Sequence, residues 1–244
     1  MTTTAPAGSG LERFRGVNAW IFDLDNTLYP RSTNLFQQVD RRIHDYVANL
    51  LNLSRDDAKR IQKDYYQRYG TTLRGLMQEQ KIDPDEFLAY VHDIDHSVVQ
   101  PDPRLAAAIG KLPGRKFILT NGSRAHAEKT AARLGITSHF EDIFDIVSSD
   151  LLPKPAAATY DKFLATTGVT PGHAAMFEDL SRNLAVPAAL GMATVLIVPT
   201  EATEILGEAW EQEGRDAAHV DFVTDDLTHF LEDVLDATGG TRPP

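Results

Sequence analysis

Short apolar runs recur along this chain, and several of them end on polar or charged residues. Residues 19–24 read Ala-Trp-Ile-Phe-Asp-Leu, a compact apolar stretch interrupted near its end by an acid, which predicts a buried strand. Further strands are predicted at 116–120, 145–148, 174–177 and 193–198, with a weaker one at 221–223. Helical stretches separate them. One opens at Ser123 as N-cap and closes at Gly135, and others cover 156–167 and 227–235. Strands alternating with helices predict an α/β fold, a parallel sheet covered by helices on both faces.

Residues 31–100 break the alternation. Leu35, Phe36, Val39, Ile43, Tyr46, Val47, Leu50 and Leu51 recur at helical spacing. Ser54 with Asp57 is a capping pair that leads Ala58, Ile61, Tyr65 and Tyr69 up to Gly70. After a short segment at 73–77, Asp83-Pro84-Asp85-Glu86 opens another helix, with Pro84 suited to its first position. This block is expected to be a helical bundle inserted after the first strand, and Pro101-Asp102-Pro103 returns the chain to the sheet. The expected plan is a sheet core from 17–30 and 101–237, a helical unit at 31–100, and disordered ends at 1–16 and 238–244.

Candidate chemistry follows the strands, and open parallel sheets bind ligands at the carboxyl ends of theirs. Asp23 and Asp25, one residue apart, can face one cleft. Burying both carboxylates is costly unless a divalent cation compensates the first, which leaves the second free to donate a proton. Thr120-Asn121-Gly122-Ser123 places a hydroxyl and free backbone N–H groups at a helix start, an anion site. In Pro153-Lys154-Pro155 the flanking prolines restrict the backbone that aims the ammonium. Glu178-Asp179 is an oxygen-rich site suited to magnesium, and Asn183 can hold a neighbouring ligand in place. Each pattern alone also has a plainer origin: an acidic turn, a helix cap, a solvated lysine.

Charge sharpens the picture. The 244 residues include 24 basic and 35 acidic side chains, a net charge of −11. Such a chain has no general attraction for nucleic acid or anionic membranes, so a small anionic substrate needs a cation at the site itself. No cysteine is present, which excludes thiolate metal sites and disulfides. The longest apolar run, 192–198 broken by Thr194, is too short to span a bilayer, and the first residues lack a signal peptide's apolar region. A cytoplasmic location is the expectation, with no nucleic-acid or membrane partner.

The order Asp23-x-Asp25-x-Thr27, Thr120, Lys154, Glu178-Asp179 resembles the four motifs of the haloacid-dehalogenase-like superfamily. Residues 69–76, His92-Asp93-Ile94-Asp95, Thr120-Asn121-Gly122 with His126-Ala127, and residues 178–184 are similar to its pyrimidine 5′-nucleotidases. The resemblance implies a Rossmann-like core with an inserted helical-bundle cap. It implies a magnesium-dependent phosphomonoesterase that forms an aspartyl-phosphate on Asp23, with Asp25 as acid and base. Asp23, the Asp25 backbone carbonyl, Asp179 and Glu178 would hold magnesium. Thr27, Thr120, Asn121, Gly122 and Lys154 would hold the phosphoryl group, and Arg74 would contact the substrate, a nucleoside monophosphate. Tyr65, Tyr66, Tyr69 and His92 are further candidates for the leaving group, although tyrosines at helical spacing usually build core. His92 and His96 stand at a zinc-compatible i, i+4 spacing that is more often incidental. A sugar-phosphate or lysophospholipid phosphatase, or a phosphomutase, is the nearest alternative. A dehalogenase lacks an acid at the position of Asp25, and a phospho-aspartate receiver switch needs no inserted bundle.

Overall fold

The computed structural model describes residues 10–200 and 214–239. Six parallel strands form one sheet in the order β3-β2-β1-β4-β5-β6. They are β1 (Ala19–Phe22), β2 (Arg115–Leu119), β3 (Asp142–Phe144), β4 (Ala174–Glu178), β5 (Ala193–Ile197) and β6 (Phe222–Thr224). Side chains alternate between the faces of a strand, and both faces here are apolar, as a fully covered sheet requires. Trp20, Phe22, Ile118, Phe177 and Val195 pack against α5 (Pro103–Lys111), α6 (Arg124–Leu134) and α9 (Leu227–Thr238). Ile21, Phe117, Leu119 and Met176 pack on the other face against Tyr160 and Phe163 of α7 (Ala157–Thr167), with α8 (Ala185–Ala189) following at Leu184. Phe22 and Phe177 stack across adjacent strands with ring centroids 4.6 Å apart.

Four helices fill the interval between β1 and α5: α1 (Leu35–Leu51), α2 (Arg55–Tyr69), α3 (Thr72–Gln80) and α4 (Pro84–Val91). They form a helical cap with a hydrophobic cluster of its own, built on Val39, Val47, Tyr65, Leu76, Phe87 and Val91. Its capping follows the sequence closely. Ser54 accepts from the Asp57 N–H, Asp83 accepts from the Asp85 N–H, and Pro84 takes the first helical turn. Gly75 is imposed by packing, because a Cβ there would lie 2.5 Å from the Tyr65 side chain. Among the contacts that seat the cap on the core, the Arg182 guanidinium lies over the Tyr66 ring, 4.5 Å from its centroid, and Ser123 Oγ meets His92 Nδ1 at 3.0 Å.

Some boundaries differ from the sequence expectation. The predicted strand at 145–148 is a turn, and β3 ends at Phe144. Asp145 is the reason: its carboxylate accepts from the N–H groups of Arg124 and Ser148 and from the Ser148 hydroxyl, which bends the chain away. At the N-terminus, residues 11–14 form a 3-10 turn, and Phe14 is buried against Trp20, Phe222 and Phe230 instead of being disordered. Residues 1–9 and 240–244 lie outside the described residues.

Phe163 is fully buried and meets Phe117 and Phe144 edge-on at 5.5 Å each. Phe163→Ala is expected to lower stability by about 3–5 kcal/mol, read by urea denaturation, and Phe163→Leu by clearly less.

Candidate active site

The register of the sheet assembles the site. Phe22 pairs with Ile118 on one side and Phe177 on the other, so the residues one step on, Asp23, Leu119 and Glu178, stand level. The Asp23 N–H continues the ladder by donating to the Phe177 carbonyl at 2.9 Å. β1 lies where the strand order reverses, the crevice in which such sheets bind ligands. Beyond Asp25 the chain turns sharply through Asn26, which adopts φ of 60° and donates to Asp179 Oδ2 at 3.3 Å.

Lys154 reaches the same level from the loop before α7. Its buried ammonium donates to Asp23 Oδ1 at 2.7 Å, to the Leu119 carbonyl at 2.8 Å and to Glu178 Oε1 at 2.8 Å. All three N–H bonds of the ammonium are thereby used. Asn121 fixes the Lys154 backbone from both sides, accepting its N–H at 2.8 Å and donating to its carbonyl at 3.3 Å. Thr120 Oγ1 accepts from the Gly122 N–H at 3.0 Å, and both residues face the cleft at the start of α6.

Three carboxylates crowd this ammonium. Among the described residues, Asp23, Glu178 and Asp179 present oxygens that lie within 4.8 Å of one another. Glu178 is the most committed of them: Oε1 accepts from Lys154 and from Asn183 Nδ2 at 2.6 Å, and Oε2 accepts the Leu180 N–H at 2.8 Å. Asp179 pairs with Arg31 at 3.1 Å. Burial pushes the Asp23 carboxyl up to about 7, because Glu178 and Asp25 add to the effect and Lys154 only partly opposes it. Burial with Glu178 and Asp23 raises Asp179 well above the ordinary carboxylate range. Burial alone would lower Lys154, yet Asp23 and Glu178 outweigh it and raise the ammonium.

Asp25 has different surroundings. Tyr29 donates to its Oδ1, and His126 Nε2 lies 2.9 Å from the same oxygen. Burial raises this carboxyl, but His126 and Tyr29 outweigh burial and hold it below its ordinary value. Two carboxyls one residue apart are thus pushed in opposite directions, the separation expected of groups with different chemical tasks.

A cavity of about 330 Å³ opens over these groups and extends under the cap. Asp23, Asp25, Thr120, Asn121, Gly122, Lys154, Glu178, Asp179 and Asn183 all border it. Thr27 does not; it is buried, and its hydroxyl has no partner among the described residues. Arg74 is also absent from the wall, because α3 presents Thr72 and Leu73 there instead. Of the aromatic candidates, Tyr66 and His92 border the cavity. Tyr65 packs in the cap cluster, and Tyr69 donates to Glu79 on the cap exterior.

Residues that sequence reasoning did not assign to the site include Tyr29, Arg31, Phe36, Gln37, Gln62 and His126. Tyr29 and Arg31 follow Asp25 within six residues, and that proximity was their only signal. His126 stood in the His126-Ala127 pair that resembles the nucleotidases, but no role at the site was assigned to it. Nothing in the spacing of α1 marks which of its faces borders the cavity.

The model of the haloacid dehalogenase-like hydrolases matches residues 17–191. Phosphate metabolism protein 8 of Saccharomyces cerevisiae is 27% identical over 195 residues, which are 72% of this chain and 60% of the yeast protein. The chain therefore spans about three fifths of that relative's length. Among solved structures, a HAD phosphatase of Thermococcus onnurineus matches with a TM-score of 0.59 at 18% identity, covering 93% of this chain and all of that one. An L-2-haloacid dehalogenase of Xanthobacter autotrophicus matches with a TM-score of 0.55 at 16% identity, covering 88% of this chain and 97% of the other. These two likenesses are of fold. With the family match covering most of the chain and the acidic cluster at the sheet's carboxyl edge, the protein belongs to the haloacid dehalogenase-like hydrolases.

Proposed function

We propose that this hydrolase cleaves phosphomonoesters with magnesium as cofactor, passing the phosphoryl group through Asp23, and that the alcohols it releases are pyrimidine nucleosides. The observation that carries the reading is the meeting of Asp23, Lys154, Glu178 and Asp179 at the floor of one cavity, with Asp25 beside them.

The donor set fits magnesium. It is all oxygen, as a hard cation prefers. Among the described residues, Asp23, Glu178 and Asp179 form ion pairs with Lys154 and Arg31, and the mutual repulsion that raises Asp23 and Asp179 is what a divalent ion would offset. Asp23, Asp179 and the Asp25 backbone carbonyl would hold the ion. Glu178, whose oxygens already accept three bonds, serves as counter-ion to Lys154 and would support the ion site from beside it. When bound, the ion offsets the negative charge on the phosphoryl oxygens.

The remaining work falls to the chain's own groups. Asp23 attacks phosphorus, the bond to the ester oxygen breaks, and an aspartyl-phosphate forms. Asp25 gives its proton to the departing alcohol oxygen. It then takes a proton from the water that attacks the intermediate, which frees phosphate and Asp23. Asp25 sits below its ordinary value in the absence of substrate, and an anionic phosphoryl group beside it raises it again, since a like charge disfavours the ionised form. Lys154 orients Asp23, while Thr120 and the N–H groups at the start of α6 receive the phosphoryl oxygens.

The nucleoside assignment draws on the resemblance and on the cap wall. Phe36, Val39, Ile43 and Leu88 make one side of the cavity apolar, while Gln37, Gln62 and Tyr66 supply polar groups. A flat base with hydrogen-bonding edges suits such a mixture better than a bare sugar does. The yeast relative's name, phosphate metabolism protein 8, agrees with phosphate chemistry at this site.

A panel of phosphomonoesters assayed with and without magnesium tests the reading. Turnover of uridine and cytidine monophosphates above sugar phosphates and lysophospholipids is expected, and the reverse ranking would refute the nucleoside assignment. Asp23→Asn is expected to abolish turnover and keep the native circular dichroism spectrum; a near-normal rate would remove Asp23 from the mechanism. Magnesium at 100 times its Kd is expected to stabilise the wild type by about 2.7 kcal/mol in thermal melts, and Asp179→Asn to lose most of that effect. Lys154→Met leaves Asp23 and Glu178 facing each other without their cation, so a loss of about 3–5 kcal/mol is expected by chemical denaturation.

A further inference from the structure

His126 is the fully buried imidazole of the core, and the phosphoryl chemistry above does not use it. Burying an imidazole is costly unless its nitrogens are paired, and both are. Nε2 lies 2.9 Å from Asp25 Oδ1, and Nδ1 lies 3.0 Å from His96 Nε2. Its face stacks on His92, with ring centroids 4.6 Å apart and planes 16° from parallel. His92 is anchored in turn, its Nδ1 being 3.0 Å from both Ser123 Oγ and the Leu88 carbonyl. His92 and His96 stand at the i, i+4 spacing of a zinc pair, but His92 Nδ1 goes to Ser123 and Leu88, and His96 uses Nδ1 on the Ile94 carbonyl and Nε2 on His126. Among the described residues, the metal-like cluster is the acidic one and contains none of the three.

We propose that His126 is a positioning residue for Asp25: it fixes the carboxyl so that Oδ2 faces the reacting oxygens, and His92 and His96 lock its ring for that task. The proposal rests on the reading of Asp25 as the acid and base of the two half-reactions.

The geometry gives this a specific form. Tyr29 and His126 both end on Oδ1, so Oδ2 is the oxygen left for the cavity that Asp25 borders. The proton for the leaving group therefore travels from Oδ2 to the ester oxygen as that oxygen parts from phosphorus. The carboxylate that remains keeps its Tyr29 and His126 bonds. In the second half-reaction the attacking water returns a proton to Oδ2, and the carboxyl is restored. With His126 gone, one of two bonds fixing the rotamer is lost, and the proton is no longer aimed. Displacement of a reacting group by about 1 Å costs on the order of 10²-fold in rate.

Leaving-group dependence separates this role from simple packing. An alkoxide needs a proton to depart and p-nitrophenolate does not. The two substrates to compare are p-nitrophenyl phosphate and the alkyl monoester that the panel shows to turn over fastest. The comparison uses kcat/KM, which reports the step that releases the alcohol, whereas kcat for both substrates also includes hydrolysis of the intermediate. His126→Ala is expected to lower kcat/KM for the alkyl ester by on the order of 10²-fold and for p-nitrophenyl phosphate by roughly tenfold less. His126→Gln, which keeps a donor near the same place, is expected to recover part of the loss. Asp25→Asn serves as the reference and is expected to show the same selectivity more strongly. Selectivity in Asp25→Asn with an equal loss, or none, on both substrates in His126→Ala would overturn the proposal and leave the acid assignment standing. Equal losses in Asp25→Asn itself would remove the acid assignment and the proposal with it. If thermal melts show that His126→Ala does not fold, the partly exposed His96→Ala carries the test, with a several-fold selective loss expected and an unselective one overturning the proposal.

Discussion

A buried ammonium held by two carboxylates and a carbonyl is the interaction on which this site depends. Lys154 joins Asp23, at the end of β1, to Glu178, at the end of β4, and to the Leu119 carbonyl, at the end of β2. Three neighbouring strands are thereby tied at one level, and that level is where their register had already brought them. A buried charge that loses its partners is expensive, whereas a well-matched pair roughly offsets its desolvation. The arrangement is therefore all or nothing. It explains why Asn121 holds both sides of the Lys154 peptide unit, and why Asn183 adds a bond to Glu178 from behind.

The same ammonium is insufficient for the acids around it. Asp179 turns to Arg31, and Asp23 is pushed up to about 7 by burial and its neighbours. Repulsion of this kind is what a cation in the cleft would relieve, and the acids are brought together by strands that end on them. Asp25 escapes it by facing the other way, toward Tyr29 and His126. One strand end thus delivers two carboxyls into unlike environments, because β1 ends at Phe22 and the turn through Asn26 carries Asp25 to Tyr29 and His126 while Asp23 stays in the ladder.

Much of this was legible in the sequence, and the limits have physical causes. Apolar runs ending on Asp23, Thr120 and Glu178 announced both the strands and their polar edge, since a covered sheet needs continuous hydrophobic strands and binds at their ends. Strand ends were less legible: Asp145 looked like a strand residue until its carboxylate was seen capping α6 and the turn after it. The family motifs named Lys154 but not what fixes it. Arg74 was expected to contact the substrate and lies off the cavity wall in this structure, because a helical pattern shows which residues share a face without showing which face meets another domain. His126 was visible in the resemblance but its role was not, for a related reason: its partners lie at sequence distances of 101 and 30 residues, and no local spacing encodes them.

The cap therefore does more than cover the cleft. His92 stands at the end of α4 and His96 in the turn that follows, on the segment by which the chain leaves the cap, whereas His126 belongs to the core. The stack of His92 on His126 and the bond from His96 are contacts across that junction. If His126 aims Asp25, the aim depends on the cap's exit segment being docked. Coupling closure to the assembly of the catalytic group is a known route to excluding water as an unwanted acceptor. The three rings are contacts across the junction of cap and core, so on that proposal the cap's exit segment and the Asp25 carboxyl are physically linked.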